Sequence, residues 1–257
     1  MSKNPPRGRR DTLGRRLDEG QALVATELAL EFGVSEDAIR RDLRALATEG
    51  RCRRVYGGAL PISPASTPMK KRIEEDREGK RALASAAATL IKRGELVFLD
   101  CGSTNLALAG HLPRDRSITV ATNSVAIASV VLDRGIPLIL IGGIVDANIG
   151  GAVDPTAIQA LQNLNIDRCF LGVCAVSARE GVGVFGADDA AFKRALLEVS
   201  RETVALLTND KIETRARHRV APLSRIASLV VEHGVDGYTL ETIKKAGPVV
   251  IIAPQSA

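Results

Sequence analysis

Up to residue 60 the apolar positions recur at helical spacing within short segments. Arg9–Leu17 and Thr26–Phe32 predict two helices, the second ending at Gly33 in the manner of a C-terminal cap. Ser35 then stands as the N-cap of a third helix running to about Thr48. In it Ile39, Leu43 and Leu46 recur at i, i+4 and i+7 and make one apolar stripe, while Arg40, Arg41, Asp42 and Arg44 fall off it. From about residue 74 the pattern changes to short continuous apolar runs: Leu96–Asp100, Ile118–Thr122, Pro137–Ile141, Cys169–Gly172, Thr203–Leu207, Ser228–Val231 and Val249–Ala253. Runs without polar alternation are what strands buried on both faces require. Amphipathic or Ala-rich stretches separate them: Lys80–Lys92, Asn105–His111, Ser124–Arg134, Pro155–Leu164, Asp188–Arg201 and Tyr238–Ala246. This alternation predicts an α/β fold with a mostly parallel sheet and right-handed crossovers.

Three segments follow from the pattern. Residues 1–60 form a small helical domain, residues 61–73 (PISPASTPMKKRI) read as a proline-rich linker, and residues 74–257 form the α/β domain. Aromatic residues make up only 3% of the 257 and Trp is absent, so aliphatic and alanine packing must build the core. No continuous apolar stretch is long enough to span a bilayer. The N-terminus has basic residues but no apolar core of a secretory signal, so a cytoplasmic protein with no membrane partner is expected. Cys52, Cys101, Cys169 and Cys174 form no CxxC pair and only three histidines are present, so neither a metal site nor a cofactor is expected, and the cysteines read as small hydrophobes.

Charge sharpens the picture once it is divided. Residues 1–72 carry 15 Lys and Arg against 9 Asp and Glu, whereas the remainder carries 20 against 21. The basic excess lies wholly at the front, which suits a polyanionic partner because neutralising phosphates releases condensed counterions. A short turn between two helices, the second cationic, is what a reader of the DNA major groove needs. After Gly50, Arg51-Cys52-Arg53-Arg54-Val55-Tyr56-Gly57-Gly58 has the make-up of a brief basic ribbon, or wing, lying along the phosphate backbone. A solvated arginine face would explain the charge alone; the coincidence of turn, cap, stripe and ribbon favours double-stranded DNA. Ser35, Arg40, Arg41 and Arg44 on the third helix and Arg53 and Arg54 on the ribbon are the DNA-binding candidates.

The second domain places small and hydroxyl residues after three strands. Asp100 leads into Cys101-Gly102-Ser103-Thr104, Thr122-Asn123 ends the next strand, and Gly142-Gly143 follows the third. Ligands of open α/β sheets collect outside the carboxyl ends of the strands, and a turn opening a helix offers unpaired N–H groups to an anion. Each turn alone reads equally as a cap or a bend; together they point to a phosphate-bearing ligand. Lys193, at i+4 from Asp189, reads by itself as an ordinary helix-surface ion pair. The residues alone leave Lys211, after Thr203–Leu207, open.

The stretch Val34-Ser35-Glu36-Asp37-Ala38-Ile39-Arg40-Arg41-Asp42-Leu43, with Arg54-Val55-Tyr56-Gly57-Gly58-Ala59 behind it, resembles the N-terminal signature of the DeoR family of bacterial regulators. Ala38 stands where that family usually has Thr, and Tyr56 where it has His. The resemblance runs from about Arg9 to His233. It takes in Asp100–Thr104, Thr122–Ser124, Gly142-Gly143, Asp167–Gly172 and Lys193. It implies a winged helix-turn-helix ahead of a sensor domain similar in fold to ribose-5-phosphate isomerase and glucosamine-6-phosphate deaminase. It further implies a phosphorylated sugar or polyol effector held by Asp100, Gly102, Ser103, Thr104, Thr122, Asn123, Gly142, Gly143, Lys193 and Lys211. Asp189 replaces the family's usual Glu, and Thr208 replaces the carboxylate that opens its Asp-x-x-Lys pattern, of which Lys211 is kept.

The resulting expectation is a repressor of a carbohydrate or polyol operon, relieved by its effector and working as a homo-oligomer because cyclic symmetry matches repeated half-sites. The competing expectation is a sugar-phosphate isomerase or deaminase with an accessory DNA-binding domain. Isomerisation needs a free base and a group to stabilise an enediolate, and no paired-carboxylate arrangement is evident, so a non-enzyme is preferred.

Overall fold

The computed structural model describes residues 6–18, 23–49, 51–55, 57–61, 68–114 and 116–255. Tyr56 and residues 62–67 of the expected linker lie outside these, as does the side chain of Arg53. The chain divides between residues 66 and 67 into two units.

In the first unit, α1 (Pro6–Asp18), β1 (Leu23–Val24), α2 (Ala25–Phe32) and α3 (Glu36–Thr48) are followed by β2 (Cys52–Val55) and β3 (Gly58–Pro61). The two predicted turn signals act as expected. Gly33 ends α2 in the left-handed region at φ 62°, and Val34 N–H returns to the Ala29 carbonyl. The Ser35 hydroxyl oxygen accepts from Ala38 N–H and opens α3. The apolar stripe of α3 packs with Leu13, Leu17 and Leu28 into the core of this unit. The hairpin of β2 and β3 is completed by β1 in the antiparallel order β1-β3-β2. Gly58 permits that pairing: a Cβ there would fall 1.9 Å from the Leu23 carbonyl oxygen.

Asp42 departs from its expected place. Although it lies off the stripe, it is buried, and its carboxylate accepts from Arg9 Nε at 2.6 Å. A charge can enter a core when a paired charge enters with it, and here the pair bolts α1 to α3.

In the second unit the elements run α4 (Met69–Glu74), α5 (Arg77–Ala88), β4 (Leu96–Leu99), α6 (Ser103–Ala109), β5 (Thr119–Thr122), α7 (Val125–Asp133) and β6 (Leu138–Leu140). They continue with β7 (Val145–Asp146), β8 (Gly151–Ala152), α8 (Pro155–Leu161), β9 (Ile166–Leu171), β10 (Ala175–Ser177), β11 (Gly181–Val184) and α9 (Ala187–Glu198). The last are β12 (Ser200–Leu207), β13 (His218–Ala221), β14 (Ser228–Val231), α10 (Gly237–Lys245) and β15 (Val249–Ile252). The seven predicted apolar runs make one parallel sheet in the order β15-β14-β12-β9-β4-β5-β6. Alternate residues serve opposite faces: Val97 and Leu99 meet Leu83, Leu108 and Ile127 of α5, α6 and α7, while Phe98 joins Leu161, Phe192 and Ile243 of α8, α9 and α10.

Two features differ from the pattern read along the chain. Met69–Glu74, inside the stretch read as linker, is helical, because Met69 is buried and its N–H donates to Asn148 O. A second, antiparallel sheet, β10-β11-β13, and the small β7-β8 hairpin were not foreseen. At the amino ends of the central strands, Arg168 is gripped by both Glu95 oxygens, at 3.0 and 2.8 Å, and by Glu202 at 2.6 Å, tying β9 to β4 and β12.

Asp42→Ala leaves Arg9 buried without its counter-charge and is expected to destabilise the first unit by about 3–5 kcal/mol. Asp42→Leu combined with Arg9→Met restores most of that loss. Denaturant unfolding followed by circular dichroism checks both; a single-mutant loss below about 1 kcal/mol refutes the bolt.

Candidate effector pocket and DNA-reading surface

The order of the large sheet reverses between β4 and β9: the chain proceeds from β4 outward to β6, then returns to the other side of β4 as β9. The carboxyl ends of strands diverge at such a switch point and leave a crevice. Asp100, immediately after β4, stands there with no exposed surface. Its carboxylate accepts from Gly172 N–H, after β9, at 2.8 Å and from Lys193 Nζ at 2.7 Å. Lys193 also meets Asp189, one turn earlier on α9, at 2.5 Å. Burial by itself would lower the Lys193 pKa, but Asp100 and Asp189 outweigh it and hold the ammonium well above the ordinary lysine value. Burial raises the Asp189 carboxyl, and Lys193 opposes that rise only in part. Lys193 is therefore no surface ion pair: its side chain is 2% exposed and joins α9 to the end of β4.

Close backbone approach makes this arrangement possible. At Gly172 a Cβ would fall 2.5 Å from the Cys101 carbonyl oxygen, and at Gly151 it would fall 2.7 Å from Cys101 Cβ. The Asn105 amide donates to the carbonyls of Asp100 and Phe170 at 2.9 and 2.8 Å and bridges the two strands across the switch point. Asn105, Gly151 and Gly172 were missed as site residues, since nothing in their local sequence marks a contact made between distant strands.

The candidates separate into groups. Gly102, Ser103 and Thr104 open α6 directly beside Asp100, and Ser103 and Thr104 are both largely buried. Thr104 Oγ1 has no hydrogen-bond partner although it is buried, and Ser124 Oγ after β5 is in the same condition. Buried hydroxyls without partners are costly unless something outside the chain satisfies them. Thr122 and Asn123 are buried with their groups engaged inside the protein. Thr122 Oγ1 donates to Leu99 O and accepts from Ser124 N–H, while Asn123 accepts from Cys101 N–H and donates to Ala152 O. They pin the turns and present little to a ligand. Gly142 and Gly143 are exposed after the edge strand β6, where Gly143 (φ 145°) packs against the Asp154 carboxylate; they are not at the switch point.

Lys211 lies in a short 3-10 turn after β12, half-buried. Burial lowers its pKa, with the neighbouring Arg72 charge acting in the same direction and Cys174, Asp210 and Glu232 opposing. Glu232, after β14, accepts from Asn209 N–H at 2.7 Å. Burial, then the carboxylates of Asp76 and Asp210, push its pKa from 4.5 up to about 7. Cys101 and Cys169 are buried, and burial raises both thiols well above their ordinary value.

In the first unit Arg40, Arg41 and Arg44 of α3 and Arg54 of β2 are exposed. Arg40 is lightly held by Glu36 at 2.7 Å and Arg41 by the Asp37 carbonyl at 3.3 Å, bonds that solvent or a phosphate can replace. Ser35 is exposed, and as a cap its oxygen is an acceptor, which leaves the O–H free to donate.

A cationic helix-turn-helix with a wing, joined to a doubly covered α/β unit with buried polar and charged groups at its switch point, defines a DNA-binding regulator with a sensing domain. Residues 9–65 match the DeoR-like helix-turn-helix domain and residues 75–233 the DeoR C terminal sensor domain, and the chain belongs to the DeoR family of transcriptional regulators. A relative from Escherichia coli O157:H7, named as an aga operon transcriptional repressor, is 31% identical over 95% of this chain and 93% of its own. The glycerol-3-phosphate regulon repressor of Escherichia coli K12 is 28% identical over 82% of this chain and 85% of its own. Among solved structures, ribose 5-phosphate isomerase A from Methanocaldococcus jannaschii shares 18% identity over 54% of this chain and 55% of its own, with a TM-score of 0.40. Among the described residues no helix is long and apolar enough to cross a membrane, and no group of three or more His, Cys, Asp or Glu converges as a metal site.

Glu232 supplies a pH prediction. Its folded-state pKa of about 7 exceeds its ordinary 4.5, so the folded form binds its proton more tightly. Its contribution to stability is fully present below about pH 4.5 and is lost as pH rises through about 7. Glu232→Gln should flatten the fall in melting temperature between those values. An unchanged pH profile in the variant rules this group out as its source.

Proposed function

We propose that this protein is a cytoplasmic, homo-oligomeric repressor of a carbohydrate or polyol operon, released from double-stranded operator DNA by a phosphorylated sugar or polyol. The observation that carries the effector half is the pair of partnerless buried hydroxyls, Thr104 Oγ1 and Ser124 Oγ, beside the Gly102–Thr104 turn at the switch point. Hydroxyls and first-turn N–H groups suit phosphoryl oxygens, and the carboxylates of Asp100 and Asp189 suit sugar or polyol hydroxyls. The relatives named for the aga operon and for the glycerol-3-phosphate regulon support that ligand class. Arg40, Arg41, Arg44 and Arg54, with Ser35 and Arg53, serve the DNA half; most of them position the unit on phosphates rather than read bases.

The reading as a regulator and not an isomerase is favoured by the state of Lys193 and its partners. A proton shuttle needs a group free to gain and lose a proton, whereas Lys193 is locked as an ammonium between two carboxylates. No cofactor is required for this role. Release works by linkage: the effector must bind better to an arrangement in which paired helix-turn-helix units no longer fit adjacent half-sites.

Fluorescence anisotropy with an operator fragment selected from random duplex DNA tests both halves. Ser103→Ala with Thr104→Ala should leave operator affinity within about twofold and abolish release by whichever of glycerol 3-phosphate, ribose 5-phosphate and glucosamine 6-phosphate acts on the parent protein. Arg40→Ala with Arg41→Ala should abolish operator binding while thermal stabilisation by the same compound persists. Release by none of the phosphorylated compounds, or turnover of any of them, overturns the proposal.

A further inference from the structure

The antiparallel sheet of β10, β11 and β13 borders a cavity of about 80 Å³, none of whose lining residues is an effector candidate. One wall is the turn from Glu180 into β11. The other is the segment from Thr214 to Arg217, continued by Arg219 of β13. Small residues keep the space open: a Cβ on Gly183 would fall 3.2 Å from the Cβ of Ala216 on the other wall. A water needs about 10–15 Å³ of such space, so the cavity holds a group of about five heavy atoms. A constrained turn delivers the segment Thr214–Arg217. Glu213 stands in the left-handed region at φ 52°, Ile212 bridges to Val176 of β10, and the Thr214 hydroxyl donates to the Lys211 carbonyl at 2.6 Å.

Arg215, Arg217 and Arg219 line this space against a single acidic residue, Glu180. Arg219 is fixed in place. Its Nε donates to the Glu180 carbonyl at 2.6 Å and its Nη2 to the Arg179 carbonyl at 3.1 Å, while Arg194 grips its own carbonyl at 2.6 Å. Two of the five N–H groups of its side chain are thereby used and three are left. Arg215 and Arg217 are exposed and enter no hydrogen bond or ion pair with the described residues. The Glu180 carboxylate meets Arg179 instead, at 3.8 Å. A recess lined mainly by one sign of charge concentrates field lines and draws in counter-ions.

We propose that this cavity is a second anion site of the sensing unit, where Arg215, Arg217 and Arg219 hold the phosphate of a small phosphorylated molecule. It shares no residue with the switch-point pocket and does not depend on that reading. A planar guanidinium presents paired N–H groups that match two phosphate oxygens, which an ammonium does not. The recess admits the phosphate and leaves the rest of the molecule toward solvent. An anion there ties β11 to Thr214–Arg217, and the bond from Thr214 carries that restraint to the turn holding Lys211.

Inorganic phosphate, compared with chloride at equal ionic strength, tests this on the full chain by melting temperature. Ser103→Ala with Thr104→Ala is the starting protein, so that the switch-point pocket does not contribute. Phosphate should raise its melting temperature. Adding Arg215→Gln and Arg217→Gln, both at exposed positions, should increase the phosphate concentration for half the effect by about tenfold or more. Arg215→Lys with Arg217→Lys should recover part of that loss. A response that survives the glutamine substitutions overturns the inference. A response seen only in the parent protein overturns it as well and assigns phosphate to the switch-point pocket. Absence of any response does the same to the inference alone. The DNA backbone is the other source of phosphate. In the salt dependence of binding to a duplex of random sequence, the glutamine pair should leave the log–log slope unchanged. A slope shallower by about 2 gives these arginines to DNA and overturns the assignment to a small molecule.

Discussion

One ammonium group organises the sensing unit. Lys193 reaches from α9 to Asp100 at the end of β4 and has Asp189 at its other side, all within a space closed to solvent. Two carboxyl groups flank one lysine in the interior, and Asp100 also accepts the Gly172 N–H. The arrangement fixes the distance between the strands where the sheet reverses. Through Asp100 the first turn of α6, the end of β9 and α9 are held together, by way of Asn105, Gly172 and Lys193.

This anchor also separates the chemistry of sensing from that of turnover. A lysine held protonated on both sides contributes charge and rigidity but no mobile proton. The buried polar atoms left without hydrogen-bond partners include the hydroxyls of Thr104 and Ser124 and the Asn105 amide oxygen. The DNA-reading unit follows the opposite rule: Arg40, Arg41, Arg44 and Arg54 are exposed, and Arg40 and Arg41 are held inside the chain only by bonds that a phosphate can replace.

The first unit was legible because its signals are local. A cap at Ser35, a left-handed glycine at Gly33 and a stripe of period near 3.6 lie within a few residues of one another, and the structure realises each. The seven strands of the parallel sheet were legible for the same reason, although the edge strands β6 and β15 are not buried on both faces as their apolar runs had suggested. What escaped depends on contacts between distant segments. Asp189 and Lys193 show their mutual spacing along a helix, but not that Asp100 closes the cluster. The hairpin of β10 and β11 hides because Gly181 and Gly183 dilute its apolar pattern, and α4 hides among prolines because its helix is sustained by Asn148 and Lys80 rather than by its own composition. Asp42 lies off the apolar stripe as read, but its burial escaped because the paired charge of Arg9 comes from another helix.

The clamp at Arg168 has a counterpart at the other end of the same strands. Arg168 joins β4, β9 and β12 near their amino ends through three short bonds from one rigid, planar group. Lys193 joins β4 to α9 at the carboxyl end through a single flexible stem. The middle strands are thus riveted at both ends, and neighbouring strands have little freedom to slide past one another.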